Sequence, residues 1–415
     1  MPNNQGVTVE QNTQKKLKFE TAMYIICGCI LSMGAIHMDT INWILPTIAE
    51  ELGSGNNTLM VTSGFFYGMM IGHLLVGPMS DMIGKKKTMV IGFIICLIGA
   101  VIGATASGLT GLIAARFIQG IGGAASSNAA RSIGGDAGKG KKSAMALTFM
   151  QIWSGALPIM LPLSGKWVGN TFGWPAIFWL QAIICGILCI LVLLFVSETS
   201  ELAGKGCLKR IGAEAKSCLA TPEYVAFVLC FAFNMALFFC YAGSASFAMV
   251  TELGMDNNAY ANMYAINAAT MVVSAALGRY MAKKIAPAKI VRTLNVAQLI
   301  VAAFISVSFM QGFADYHWLQ FIWWVFPFIQ GMTLPVAMSL VMNASGKATG
   351  TGAALMGFVQ YLFSSITTTM LATIKETGSI GSVIGWIMAA CAVLSFLTCT
   401  IGVSFLKKKN AEALE

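Results

Sequence analysis

The chain has 415 residues, 57 % of them hydrophobic and 10 % charged. Soluble domains carry about 25 % charged residues, so a water-soluble globular protein is excluded. The formal charge of +9 therefore points to anchoring at a membrane face and not to a nucleic-acid surface.

The first twenty residues are polar and predict a cytoplasmic tail over 1–20. The apolar run behind them is too long for the core of a signal peptide and reads as an uncleaved first span. Runs of about 20 apolar residues, enough to cross ~30 Å of hydrocarbon, recur to the end of the chain. They predict membrane helices over 21–46, 57–79, 88–107, 109–131, 143–167 and 175–196. After a polar stretch they resume over 224–250, 260–281, 289–312, 318–342, 350–374 and 381–406. The expected organisation is a six-helix bundle (21–196), a cytoplasmic linker (197–223), a second six-helix bundle (224–406) and a cytoplasmic tail (407–415). The fold class is all-α membrane, with twelve transmembrane helices around a central cavity.

With the N-terminus inside, 23 of the 26 Lys and Arg residues fall on cytoplasmic segments, leaving Arg116, Lys166 and Lys375. That asymmetry is what the positive-inside rule requires. It predicts both termini in the cytoplasm and contact between the basic loops and lipid headgroups. The eleven cysteines lie mostly in apolar runs, as small hydrophobes do. Their spacing shows neither a disulfide framework nor a metal quartet.

The two halves correspond. "GPMSDMIGKKKTM" (77–89) joins spans two and three, and "GRYMAKKIAPAKI" (278–290) joins spans eight and nine. Each begins with Gly at a helix end and runs into basic residues, as expected of repeat-built transporters.

Polar stripes run through several spans. In the first, Gly28, Ser32, Ala35, Asp39, Asn42 and Pro46 share one face at helical spacing. The fourth carries Arg116, Gln119, Gly120, Gly123 and Ser127. The seventh offers Asn234 and Tyr241, and the tenth Trp323, Phe326, Gln330 and Thr333. Packing between helices accounts for small residues at such positions. It accounts poorly for Asp39 and Arg116, because a charge near the bilayer centre costs roughly 2.5–3.5 kcal/mol even on the mild insertion scale. At 1.5 Å per residue both lie ~10 Å below the outer surface, where they can face each other. His37, two residues from Asp39, is expected to point away from the cavity. His73 and His317 have no partner visible in the sequence.

The loop carrying Gly77, Asp81, Gly84, Lys85 and Lys86 resembles the signature loop of the major facilitator superfamily, with Met82 where an arginine is usual. "ARFIQGIGGAA" (115–125) resembles that superfamily's fourth-helix motif. "GALPIMLPLSGKWV" (155–168) is similar to the fifth-helix motif of drug:proton antiporters, through Gly155, Pro158, Pro162 and Gly165. "DTINWILPTIA" (39–49) and "FGWPAIFWL" (172–180) resemble the Bcr/CflA-type efflux group. The resemblance implies that helices one, four, seven and ten line the cavity, with Asn42, Gln119, Ser127, Asn234, Tyr241, Trp323, Phe326 and Gln330 facing substrate. It implies a conformational role for the signature loop, with Asp81 near the start of helix eleven around Thr349 to Gly352. Pro158 and Pro162 should bend helix five, whose motif is associated in antiporters with the interface between the halves.

Burial works against the charged form of Asp39, and a nearby Arg116 works for it. A cavity that opens to each side in turn can therefore load and release a proton there. The expectation is a proton-coupled exporter of small amphipathic compounds in a bacterial inner membrane, working as a monomer without a cofactor. An importing proton symporter is the near alternative. A membrane-embedded enzyme would need clustered catalytic groups at one depth, and no such cluster is legible.

Overall fold

The computed structural model describes residues 20–136, 141–199, 207–312, 315–346, 349–373 and 379–412. All but the last residue of the expected N-terminal tail lies outside these, as do parts of the linker. The described residues are almost wholly helical, with no strand among them.

The first span is α1 (Glu20–Leu31), α2 (Met33–Asp39) and α3 (Leu45–Glu51), with a bend of 43° between α1 and the rest. Next come α4 (Leu59–Ile83), α5 (Lys85–Ala104), α6 (Leu109–Asp136), α7 (Lys141–Phe172) and α8 (Pro175–Phe195). A linker helix, α9 (Cys207–Leu219), precedes α10 (Pro222–Ser246), α11 (Asn257–Met281), α12 (Pro287–Met310), α13 (Tyr316–Ala344), α14 (Thr349–Ala372) and α15 (Ile380–Glu412). Every expected span has its helix, though many run several residues further than hydropathy alone suggested. Among the described residues, eight helices, or nine spans counting the bent first one, are long and apolar enough to cross a membrane by themselves. The others, α6, α7 and α11, carry polar residues such as Arg116, Lys166 and Asn267, which have partners inside the protein.

The first span breaks for local reasons. The Ser32 hydroxyl donates to the Ser154 carbonyl of α7 at 2.8 Å, next to the bend. A single 3-10 turn over Asn42–Ile44 follows α2, and Pro46 then sits in the first turn of α3, where its missing N–H costs nothing. The prolines of α7 act differently, since that helix runs continuously from Lys141 to Phe172 with Pro158 and Pro162 inside it.

Within the first half α6 packs on α4 and α5, and α8 on α5; within the second, α10 and α12 pack on α15, and α11 on α13. Small residues permit this closeness. A Cβ on Gly68 would lie 3.0 Å from the Gly120 Cα, so α4 and α6 touch backbone to backbone. Between the halves, α4 packs on α14 and α7 on α11. The second span of one half thus meets the fifth of the other, twice over, which is the pattern of a pseudo-two-fold repeat.

The linker was legible only as a polar stretch; the structure adds that α9 reaches α14. The Thr351 hydroxyl donates to a Glu214 carboxylate oxygen of α9 at 2.5 Å, and from α10 the Tyr224 hydroxyl donates to the Gly352 carbonyl at 2.7 Å.

Candidate functional site at the seam between the halves

Asp39 ends α2, just before the 3-10 turn that leads into α3. It is half-buried, and its Oδ1 accepts a hydrogen bond of 3.0 Å from the Tyr264 hydroxyl of α11. The acid therefore touches the opposite half of the protein. Gly165 of α7 makes room beside it, since a Cβ there would lie 2.9 Å from the Thr40 carbonyl carbon.

The expected facing of Asp39 and Arg116 is not what the structure shows. Arg116 is fully buried, and its guanidinium donates to Gln119 Oε1 at 3.1 Å and to the Met38 sulfur at 3.4 Å. It also lies 4.8 Å from the centroid of the Phe65 ring, a cation–π distance. No ion pair joins it to Asp39 among the described residues. Both residues were expected at one depth, but Arg116 meets Gln119 and Met38 whereas Asp39 meets Tyr264.

The Arg116 network runs through the interior of the first half. Gln119 Nε2 donates to Gln181 Oε1 at 2.9 Å, and Gln181 Nε2 to the Thr40 hydroxyl at 2.7 Å. His37 is fully buried with Nδ1 3.3 Å from Gln181 Oε1. Gln181 was missed in the sequence because a single glutamine in an apolar helix gives no spacing signal. His73, for which the sequence shows no partner, lies 3.0 Å from Asn128 Nδ2 and 5.2 Å, ring to ring, from Tyr361.

Several expected cavity residues are buried in this conformation. Tyr241, Trp323 and Phe326 pack together, with the Tyr241 ring 5.4 Å from Trp323 and 4.8 Å from Phe326. Asn234 donates to the Ser395 hydroxyl at 2.5 Å, and Gln330 to the Asn234 carbonyl at 2.7 Å, while Gln298 donates to Gln330. These contacts tie spans seven, nine, ten and twelve together. Ser127 returns its hydroxyl to the Gly123 carbonyl at 2.7 Å. Asn42 crosses the seam and donates to the Ala242 carbonyl at 3.1 Å. The N-terminal part of the first-span stripe is packing surface: a Cβ on Gly28 would lie 2.7 Å from the Met150 carbonyl oxygen.

Beside Met38, aromatic and methionine side chains from both halves meet. Phe66 lies 4.5 Å from Phe239 and 5.9 Å from Tyr361, with Phe65 and Met69 adjoining. The seam is laced at the end away from the linker. Ser63 donates to Thr368 at 2.9 Å, Asn257 to Thr47 at 3.0 Å, Lys166 to Asn262 at 3.1 Å and Asn170 to Asn258 at 2.6 Å. Gly155 faces Val272 across it, at 3.6 Å from the position its Cβ would take.

At the linker end the signature loop turns at Gly84, whose φ of 97° suits glycine. The Glu198 carboxylate accepts from the backbone N–H groups of Lys85, at 2.9 Å, and Lys86, at 3.1 Å. It caps α5 where the helix dipole favours an anion. Lys86 donates from Nζ to the Leu193 carbonyl at 2.9 Å. Gly77 and Asp81 lie in the last turns of α4, but the Asp81 side chain is not among those described, so its expected contact with helix eleven is not described.

Among the described residues, twelve spans in two halves, with an acid at the seam, define a membrane transporter architecture. The sequence model of the Major Facilitator Superfamily matches residues 25–368, and the chain belongs to that family and is a multi-pass membrane protein. It is 24 % identical to an uncharacterized MFS-type transporter YdgK of Bacillus subtilis over 92 % of this chain and 95 % of that one. It is 23 % identical to the multidrug resistance protein MdtL of Shigella dysenteriae, over 85 % and 88 % of the two chains. It is 21 % identical to a bicyclomycin resistance protein homolog of Haemophilus influenzae, over 89 % and 94 %. The fold is similar to that of a D-xylose-proton symporter, with a TM-score of 0.74 at 15 % identity over 92 % of this chain and 97 % of the other.

Proposed function

We propose that the protein exports small amphipathic compounds in exchange for protons, by alternating access of a cavity between its halves. The observation that carries this is the Asp39 carboxylate, half-buried at the seam and hydrogen-bonded across it to Tyr264. The neighbouring Met38, Phe66, Phe239 and Tyr361 supply apolar and aromatic surface for a greasy, flat substrate.

A hydrogen bond to an ionised carboxylate is roughly twice as strong as a neutral one. Ionised Asp39 therefore holds Tyr264 and keeps the laced end shut. A substrate reaching the acid from the other side competes with Tyr264 and releases the seam. Once that end opens, a proton replaces the substrate on Asp39. The neutral acid returns through the closed seam and gives the proton up on the opposite side, leaving Asp39 ionised again. Multidrug and bicyclomycin resistance relatives favour this reading. The basic residues favour termini in the cytoplasm of a bacterial inner membrane, and the protein acts as a monomer in this scheme.

The test is dye movement in reconstituted vesicles with an imposed pH gradient. The reading predicts dye moving against proton flow. Dye or sugar moving with the protons would instead indicate a symporter.

A further inference from the structure

Three side chains from three spans meet inside the first half, away from the seam contacts. They are His37 of α2, Cys96 of α5 and Cys185 of α8, and all three are fully buried. Their ligand atoms all lie within 4.8 Å of one another, with His37 Nε2 3.9 Å from the Cys185 sulfur. Metal–ligand bonds of about 2.1–2.3 Å in a trigonal plane put neighbouring ligand atoms about 3.6–4.0 Å apart. The cluster needs little movement to reach that spacing.

The hydrogen bonds around it set the histidine for metal binding. Gln181 Nε2 donates to Thr40, and Gln181 Oε1 accepts from Gln119. That fixes the amide, so its oxygen faces His37 Nδ1 at 3.3 Å and can only accept. The imidazole proton therefore sits on Nδ1, and the Nε2 lone pair points at the sulfurs. This is the arrangement that orients metal-bound histidines, with the second ring nitrogen held by an outer acceptor. The Cys96 thiol donates to the Gln119 carbonyl at 3.6 Å, which leaves its sulfur lone pairs for the cluster.

We propose that His37, Cys96 and Cys185 form a resident site for a soft monovalent cation, Cu(I). Thiolate ligands select Cu(I) or zinc. Zinc in a closed site takes four ligands, and among the described residues three are present here. Charge points the same way. Two thiolates, a neutral imidazole and Cu(I) sum to −1, with the two thiol protons released to solvent. Arg116 is buried with no carboxylate partner among the described residues and connects to the cluster through Gln119 and Gln181. Its charge balances the loaded site. A divalent ion would make the site neutral and leave the guanidinium uncompensated. The bound ion ties the broken first span to the third and sixth spans.

The test uses the full chain, purified in detergent under anaerobic, reducing conditions. It is offered Cu(I) buffered by a chromophoric chelator, with Ag(I) as a redox-inert stand-in. The proposal predicts one ion per chain, a rise in Tm on loading, and an X-ray absorption signature of two sulfurs and one nitrogen. Cys96→Ser and Cys185→Ser should each weaken binding at least ~100-fold, while Cys391→Ser keeps it. Gln181→Leu should weaken it by roughly 10–100-fold, as loss of outer-shell partners does. A variant that fails to fold is replaced by protection mapping on the unaltered protein, where Ag(I) should shield Cys96 and Cys185 from a membrane-permeant maleimide. Uptake unchanged in the cysteine variants would overturn the proposal. So would no uptake by the unaltered protein, or alkylation of both cysteines at full Ag(I).

Discussion

The Tyr264 hydroxyl donates to Asp39 at 3.0 Å from the opposite half of the protein. The acid that the sequence singles out is thus a contact across the seam between the halves. Replacing Tyr264 with Phe removes the donor and leaves the ring. Hydrogen bonds to charged groups contribute about 1.5–3 kcal/mol, so the balance between closed and open seam should shift by ~10–150-fold toward open. Distances between spin labels on the far ends of α7 and α11 measure that shift, and an unchanged distribution would show that the bond does not hold the seam.

Gly165 lies against the backbone of Thr40, with room for no side chain. Gly165→Val pushes the first span away just past Asp39. Overpacking costs typically 1–3 kcal/mol, and thermal unfolding in detergent should register it as a lower Tm, together with slower transport. Wild-type Tm and rate in this variant would mean that the two helices yield freely.

Gln181 joins Gln119, Thr40 and His37. Gln181→Leu keeps the volume but strands buried polar groups, each at about 1–3 kcal/mol. A fall in Tm is expected, larger than that for Gln360→Leu, whose site is not in this network. Equal effects would deny the network its role.

Glu198 caps α5 through two backbone N–H groups. Loss of a helix cap costs ~0.5–2 kcal/mol, so Glu198→Ala should lower stability modestly. Hydrogen exchange at Lys85 and Lys86 should rise with it; unaltered protection there would count against the cap.

Much of this was legible in the sequence because hydrophobic thickness and basic loops constrain a membrane chain so strongly. All twelve spans could be placed, and Asp39 stood out because a charge in hydrocarbon is expensive. The partners of Asp39 and Arg116 were not legible. Depth follows from counting residues, but direction depends on the backbone around α2, bent before it and turned into a 3-10 step after it, which no hydropathy window sees. Tyr264 gave no signal, since a tyrosine in an apolar helix is ordinary. Glu198 lies 114 positions beyond Gly84 in the chain, and only folding brings it to the signature loop. The His37, Cys96 and Cys185 cluster escaped for the same reason, because its members share no local spacing.

The central claim is that protons move through Asp39. Its most direct test is Asp39→Asn in reconstituted vesicles, with a trapped pH dye reporting proton flux as substrate is added. Asparagine still accepts from Tyr264, so the variant should fold and exchange substrate for substrate. It should show no substrate-dependent proton flux and no accumulation against a gradient. Proton flux at the wild-type ratio to substrate would contradict the account.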